Sequence, residues 1–422
     1  MKTSPRMFII SAIIYCFTLI LSTSCSKERE LYAHLEEVPT DASVDSVNST
    51  NAEVTNTKNL NPDSLNTDSL NIEVSFDSIP LSYTNTTVSI SGNQFFINGK
   101  PTYEGRYYKG NKIEGLLMNS RMVQGIFDDL NPTTKHHFKY SDTGSWDADR
   151  NTSEFIAAMT EWKENGLLAF TLNLQGGSPT GYGNAQAWIN SAFNEKGDLR
   201  PSYMSRLKRV LDEANRLEMV VILGYFYFGQ DELLENETAV INAVDNITNW
   251  ILEKGYKNLL IEINNECDIY YDHSILKPER VDELIYRVKQ TEKNGYRLLV
   301  STSFRGTVVP KANVVMASDY ILLHGNGVSK HSQLLKLIQD TRNVSGSDNK
   351  PIIINEDDHY NFDSEDNNFS AAIEEYASWG YFDYRKSGES YENGFQSIPV
   401  DWGINSTRKK DFFSKLKEVT GY

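Results

Sequence analysis

Cysteine is scarce in this 422-residue chain: Cys16, Cys25 and Cys267 are the whole complement, and the first lies in an apolar leader. No disulfide framework follows, and a chain of this length can bury a large core without one in any compartment. Lys and Arg are outnumbered 41 to 57 by Asp and Glu, for a formal net charge of −16. No basic stripe interrupts that excess, so a nucleic-acid partner is excluded, because phosphate binding needs clustered cations. Histidine is sparse too, with seven scattered residues and no His-x-His pair. That weakens any case for a transition-metal centre. No Gly-rich phosphate loop follows an early apolar run, as a dinucleotide-binding sheet would require. Nor does any apolar run reach the roughly 20 residues that span a bilayer.

What is present is organised around two short stretches. Residues 259–266 read Leu, Leu, Ile, Glu, Ile, Asn, Asn, Glu, and residues 351–356 read Pro, Ile, Ile, Ile, Asn, Glu. Apolar runs with little alternation suit strands covered on both faces, as in a parallel sheet wrapped by helices. In such sheets ligands bind at the carboxyl ends of the strands. Glu266 and Glu356 are thereby delivered to that edge by separate strands, and two carboxyls so placed are the raw material of glycoside hydrolysis. The 23 Tyr, 19 Phe and 6 Trp are ample for a cleft that stacks sugars.

The N-terminus is built differently. Lys2 and Arg6 precede an apolar stretch from 7 to 21 and then Ser22, Thr23, Ser24 and Cys25. This is a secretion signal. It resembles the lipoprotein type, in which the cysteine is lipidated and begins the mature chain, giving an anchor in the outer membrane or at the cell surface, with the periplasm as the alternative. Residues 26–30 (Ser, Lys, Glu, Arg, Glu) are similar to the lysine-plus-acid surface signal of Bacteroidetes lipoproteins. From 26 to 80 the chain is rich in Ser, Thr, Asn and Asp and poor in aromatics, which predicts a disordered tether. Asp-Ser-aliphatic triplets at Asp45, Asp63, Asp68 and Asp77 are similar to O-glycosylation acceptors of the same bacterial group, and also arise by chance in such tracts.

Residues 81–422 form the expected catalytic domain. Alternation at 87–97, followed by Gly99, Lys100 and Pro101, predicts a short β-hairpin. Strand-like and helix-like segments then alternate. The strands are predicted at 121–127, 167–174, 220–228, 259–266, 297–303, 320–324, 351–356 and 381–384, and the helix after the fifth is not apparent. Eight such units over roughly 300 residues predict an α/β fold, a (β/α)8 TIM barrel preceded by the hairpin and the tether.

On these residues the chain resembles a clan A glycoside hydrolase of the family 5 type. These are barrels with an Asn-Glu pair ending strand four and a second Glu ending strand seven, the places taken here by Asn265, Glu266 and Glu356. The resemblance implies Glu266 as general acid/base, Glu356 as nucleophile and retention of configuration, with Asn265 on the sugar 2-hydroxyl and no cofactor. It also implies a carbohydrate substrate. His324, in Leu-Leu-His-Gly-Asn, is similar to a cleft histidine of several clan families, and could equally be a core histidine. The tyrosine that often follows that histidine and contacts the nucleophile is replaced by Asn326. Arg121 and Arg305 are the candidates for the arginine that many members carry on an early strand. Tyr225, Tyr227 and Trp402 are candidate stacking platforms or packing residues, and Asn173 and Gln175 candidate hydroxyl ligands. The aromatic loops 175–190 and 384–402 hint at an extended cleft, hence a polysaccharide.

Two rival functions are consistent with the chain. A metal-dependent barrel hydrolase would draw on Glu356, Asp357, Asp358 and His359 with the Asp128, Asp129 pair. A surface lipoprotein that binds glycan without cutting it would keep the barrel and lose the chemistry.

Overall fold

The computed structural model describes residues 85–182 and 187–422, all within one compact unit, Ile79–Tyr422. The leader, Cys25, the tether and its triplets lie outside the described residues.

Strand and helix alternate eight times: β1 Asn119–Arg121, α1 Ala148–Glu164, β2 Ala169–Asn173, α2 Pro201–Arg216, β3 Val220–Tyr227, α3 Glu237–Lys254, β4 Leu259–Asn265, α4 Val281–Gln290, β5 Leu299–Ser301, α5 Ala312–Ala317, β6 Ile321–His324, α6 His331–Arg342, β7 Ile352–Glu356, α7 Asn368–Glu374, β8 Gly380–Tyr381 and α8 Thr407–Thr420. Six strands pair in parallel in the order β5-β4-β3-β2-β1-β8, and β6 pairs in parallel with β7. Two seams close the circuit. Between β7 and β8, the Ile354 N–H donates to Ser378 C=O (2.8 Å) and the Phe382 N–H to Asp357 C=O (3.0 Å). Between β5 and β6, Asp319 stitches the edge: its N–H donates to Val300 C=O (2.9 Å), and its carboxylate accepts from the Val300 N–H (3.0 Å) while pairing with Arg297 (2.8 Å). This is a (β/α)8 barrel.

The sequence explains the layers. β3 and β4 are buried along their whole length, as strands lined by side chains inside and helices outside must be. α2 buries Tyr203, Met204, Leu207, Val210, Leu211 and Ala214, one stripe at helical spacing. Asn236 caps the start of α3 by accepting from the Ala239 N–H, and Gly255 ends that helix at φ 77°, a left-handed conformation that costs glycine little. The hairpin Val88–Ser91 with Gln94–Ile97 covers the floor of the barrel, where the Val88 N–H donates to Lys257 C=O just before β4.

Three departures from expectation bear on the site. β1 stops at Arg121, and residues 122–127 coil into tight turns closed by the Gly125 N–H on Met122 C=O and the Phe127 N–H on Gln124 C=O. Their apolar side chains are buried from a loop, so hydrophobicity alone mimicked a strand. β8 is two residues long and ends at Tyr381, short of 384. The helix after β5 is six residues, Ala312–Ala317, too short for a periodicity to show.

One irregularity positions the site. The β6–β7 register pairs Leu323 with Ile354 but His324 with Glu356, leaving Asn355 as an extra residue. Such a bulge re-aims side chains at a strand end.

Candidate active site

Four strand ends meet at the carboxyl edge. Arg121 ends β1, Asn265 ends β4 with Glu266 directly after it, His324 ends β6 and Glu356 ends β7, while Asn326 stands two residues beyond β6. Glu266 adopts φ 52°, a left-handed turn held by its N–H on Ser303 Oγ (2.9 Å) and by the Cys267 N–H on Ser303 C=O (2.9 Å). Non-glycine residues seldom take that conformation without a local reason.

His324 Nδ1 lies 2.9 Å from Glu266 Oε1 and 3.5 Å from Glu356 Oε2, and the three ligand atoms all fall within 4.8 Å of one another. Arg121 Nη1 forms a buried ion pair with Glu356 Oε2 at 2.8 Å and reaches Asn265 Oδ1 at 3.3 Å. Its Nε donates to Gln396 Oε1 (3.0 Å), which fixes the guanidinium. Asn326 Nδ2 donates to Glu356 Oε1 (3.1 Å) and to Tyr182 Oη (3.3 Å).

Burial sets the charge states. It pushes both Glu266 and Glu356 up to about 7, with Arg121 opposing in each case. The two carboxyls titrate as a pair. Glu356 alone touches the guanidinium, so it ionises first and Glu266 keeps the proton. Burial also holds His324 below the usual imidazole range, so its ring is neutral beside them.

The other candidates divide. Tyr227 is buried near the pair, its hydroxyl 2.9 Å from Ser178 Oγ and its environment shaped by Arg121, Glu356 and Glu266. Asn173 and Asn265 are buried, and each has an Nδ2 without a partner among the described residues. Tyr225 is not a platform: it leaves the barrel on the helix side, its hydroxyl 3.2 Å from Thr248 Oγ1 of α3. Trp402 is not one either. It packs edge-on to Phe155 (4.7 Å) and its Nε1 donates to Asn151 Oδ1 (3.1 Å), sealing the core under α1. Gln175 is spent on scaffolding, its Nε2 donating to Ser191 Oγ and Gln230 C=O and its Oε1 accepting from the Tyr227 N–H. Arg305 pairs with Asp268 on the rim, leaving Arg121 as the cation inside.

Sequence reasoning pointed to the aromatic loops 175–190 and 384–402 without naming the residues of the aromatic wall. Tyr182 is half exposed and stacks on Phe382 (6.0 Å, 25°), with Tyr384 tilted behind it (5.6 Å) and the Arg121 guanidinium over Phe382 (5.5 Å). Position at a strand end, the signal used for the glutamates, would have found Phe382 after β8. A cavity of about 390 Å³ lies on the rim beyond the ends of β4 and β5, lined in part by Asp268, Ile269, Phe304, Arg305 and Val308 and by neither glutamate of the pair.

The candidate metal set is brought together only in part: Asp357, Asp358 and His359 place ligand atoms within 4.8 Å of one another, while Glu356 groups with Glu266 and His324 instead. The Asp357 carboxylate accepts from Trp379 Nε1 (2.9 Å), Asn368 Nδ2 (3.1 Å) and the His359 N–H (2.9 Å), facing the helices. Asp129 is taken up by the N–H groups of Asn131 and Ile189 and by Thr134.

No family model matches the chain, and no curated protein matches it in sequence. Solved structures match its fold. One is a provisionally assigned glycoside hydrolase from Bacteroides vulgatus, 13% identical with a TM-score of 0.51, the match covering 80% of this chain and 62% of that one. The shared feature is the (β/α)8 barrel fold. A family 5 glycoside hydrolase from the same organism (14% identical, TM-score 0.49, 80% of this chain and 72% of that one) and a β-mannanase from the blue mussel Mytilus edulis (10%, 0.49, 80% and 97%) are fainter likenesses. At these identities what the barrel shares with them is fold alone.

Proposed function

We propose that this chain is a retaining glycoside hydrolase that works by double displacement, with Glu356 as nucleophile and Glu266 as acid/base. The main support is the approach of two carboxyls from non-adjacent strands, their oxygens within 4.8 Å across the barrel mouth. Retaining enzymes hold their carboxyls about 5 to 5.5 Å apart, whereas inverting ones leave about 6.5 to 9.5 Å for a water.

In the first step ionised Glu356 attacks the anomeric carbon as Glu266 gives its proton to the leaving oxygen. The bond to the leaving group breaks and a glycosyl ester to Glu356 forms. In the second, Glu266 takes a proton from water, whose oxygen displaces Glu356. Arg121 and Asn326 stabilise the carboxylate before attack and as it leaves. The unpartnered Nδ2 of Asn265 is free for a sugar hydroxyl. The aromatic wall gives a pyranose face something to lie on.

The test is hydrolysis of a panel of plant, algal and host glycans by the purified domain, with the anomer of the first product read by NMR. The β or α configuration of the substrate should be kept. Inversion, or no hydrolysis of any glycan, defeats the proposal. The leader and Cys25 further support export and lipid anchoring of the same enzyme, which labelling of wild type against Cys25→Ala with radioactive palmitate tests.

A further inference from the structure

The barrel interior holds a third carboxyl that the two-step mechanism does not use. Glu262 lies on β4, four residues before Glu266, and is 1% exposed. Asn355 Nδ2, on β7, donates to Glu262 Oε2 at 3.1 Å. β4 and β7 are not neighbours in the sheet, so this bond crosses the barrel. It crosses directly beneath the mouth, because Asn355 precedes Glu356. Asn355 is also the extra residue of the β7 bulge, which lets it and Glu356 both face inward although they are consecutive.

Two buried atoms of this contact have no hydrogen-bond partner among the described residues: Glu262 Oε1 and Asn355 Oδ1. A buried polar atom left unpaired costs about 1 to 3 kcal/mol. One shared proton would answer both: carried on Oε1 toward Oδ1, beside the Nδ2–Oε2 bond, it would close a reciprocal pair between the two side chains.

We propose that Glu262 is held as a neutral acid paired with the Asn355 carboxamide, and that this crossbar sets the spacing of Glu266 and Glu356. That spacing is catalytic only if the proposed hydrolase function is right; the crossbar itself is not conditional on it.

Burial and the polar groups around Glu262 pull in opposite directions: His324 from β6, Arg121 from β1, Ser303 after β5 and Asn355 each favour its ionised form, and burial outweighs them. Arg121 is committed to Glu356, and among the described residues no cation forms a salt bridge with Glu262. An ionised Glu262 would add a third buried negative charge near one guanidinium. Burial accordingly pushes its carboxyl up. Glu262 touches no substrate on this account; it is a positioning residue.

Three variants separate the outcomes. Glu262→Gln replaces the acid with an amide that can still donate to Oδ1 and accept from Nδ2, whereas Glu262→Leu and Asn355→Leu cannot. Two readouts need no turnover. In the wild type at about pH 7, where ordinary carboxyls are ionised, the infrared difference against Glu262→Gln should show the C=O band of a protonated acid. Crystal structures should show the carboxyl separation unchanged in Glu262→Gln and altered in Glu262→Leu. Once a substrate is in hand, Glu262→Gln should stay within about threefold of wild type, while the leucine variants lose roughly 10- to 100-fold in kcat with KM little changed. An ionised Glu262 band, or Glu262→Gln as damaging as Glu262→Leu, overturns the proposal. If no leucine variant folds, the infrared band and the glutamine variant still decide it. If the wild type hydrolyses no glycan, the function fails while the band and the spacing still test the crossbar.

Discussion

Replacing Glu266 with Gln should stabilise the protein, and only at neutral and alkaline pH. Burial raises the Glu266 carboxyl from 4.5 to about 7. Between those values the folded state keeps a proton that the unfolded chain has shed. Stability therefore falls as pH rises, and the loss is complete above the folded value. A displacement of about 2.5 units corresponds to about 3 kcal/mol. Glutamine carries no charge in either state, so that loss disappears from the variant. Relative to wild type, Tm of Glu266→Gln should be level or slightly lower at about pH 4.5 and higher by a few degrees at about pH 8.5. Calorimetric scans of both proteins across that range measure the difference. Turnover should vanish at every pH, because the leaving group loses its acid. A Tm difference that stays flat from acid to alkaline pH would show that Glu266 is not held protonated, and the acid/base role would fall with it.

Arg121→Met strands Glu356 as a buried, uncompensated charge. It should cost about 3 to 5 kcal/mol in urea unfolding and abolish turnover, with Arg121→Lys intermediate. Asn326→Leu removes a donor from Glu356 and so raises that carboxyl further. The acid limb of kcat/KM should move to higher pH and the rate at neutrality should fall roughly tenfold; an unmoved limb counts against the contact. Trp402→Ala should cost about 3 to 5 kcal/mol through the cavity it leaves, with KM unchanged in the surviving fraction. Treatment with a chelator should leave the rate as it was.

Much of this site was legible because strand ends are where backbone geometry and chemistry coincide. The runs 259–266 and 351–356 announced both glutamates, and alternation put them on the fourth and seventh strands. What escaped did so for local reasons. The apolar residues 122–127 fold into turns, so the end of β1 fell at Arg121, six residues before the expected one, and hid the arginine's place at the mouth. Tyr225, Tyr227 and Trp402 have the same aromatic character in sequence, but the first projects toward α3, the second toward the site and the third into the seam of α1 and the last loop. Which way a ring points depends on strand twist and packing, which composition does not encode. Asn326 looked like a defect where a tyrosine was expected, and only the folded chain shows it holding Glu356 with Tyr182 behind it.

The division of the sheet has a consequence for motion. Glu266 and Arg121 ride on the six-stranded arc, while His324 and Glu356 ride on the two-stranded one. Any breathing along the edge stitched by Asp319 would carry acid and nucleophile apart as rigid plates, against the clasps formed by His324 on Glu266, Arg121 on Glu356 and Asn355 on Glu262. Substitutions at Asp319 or Ser378, out of reach of any sugar, would then register as changes in turnover rather than in affinity.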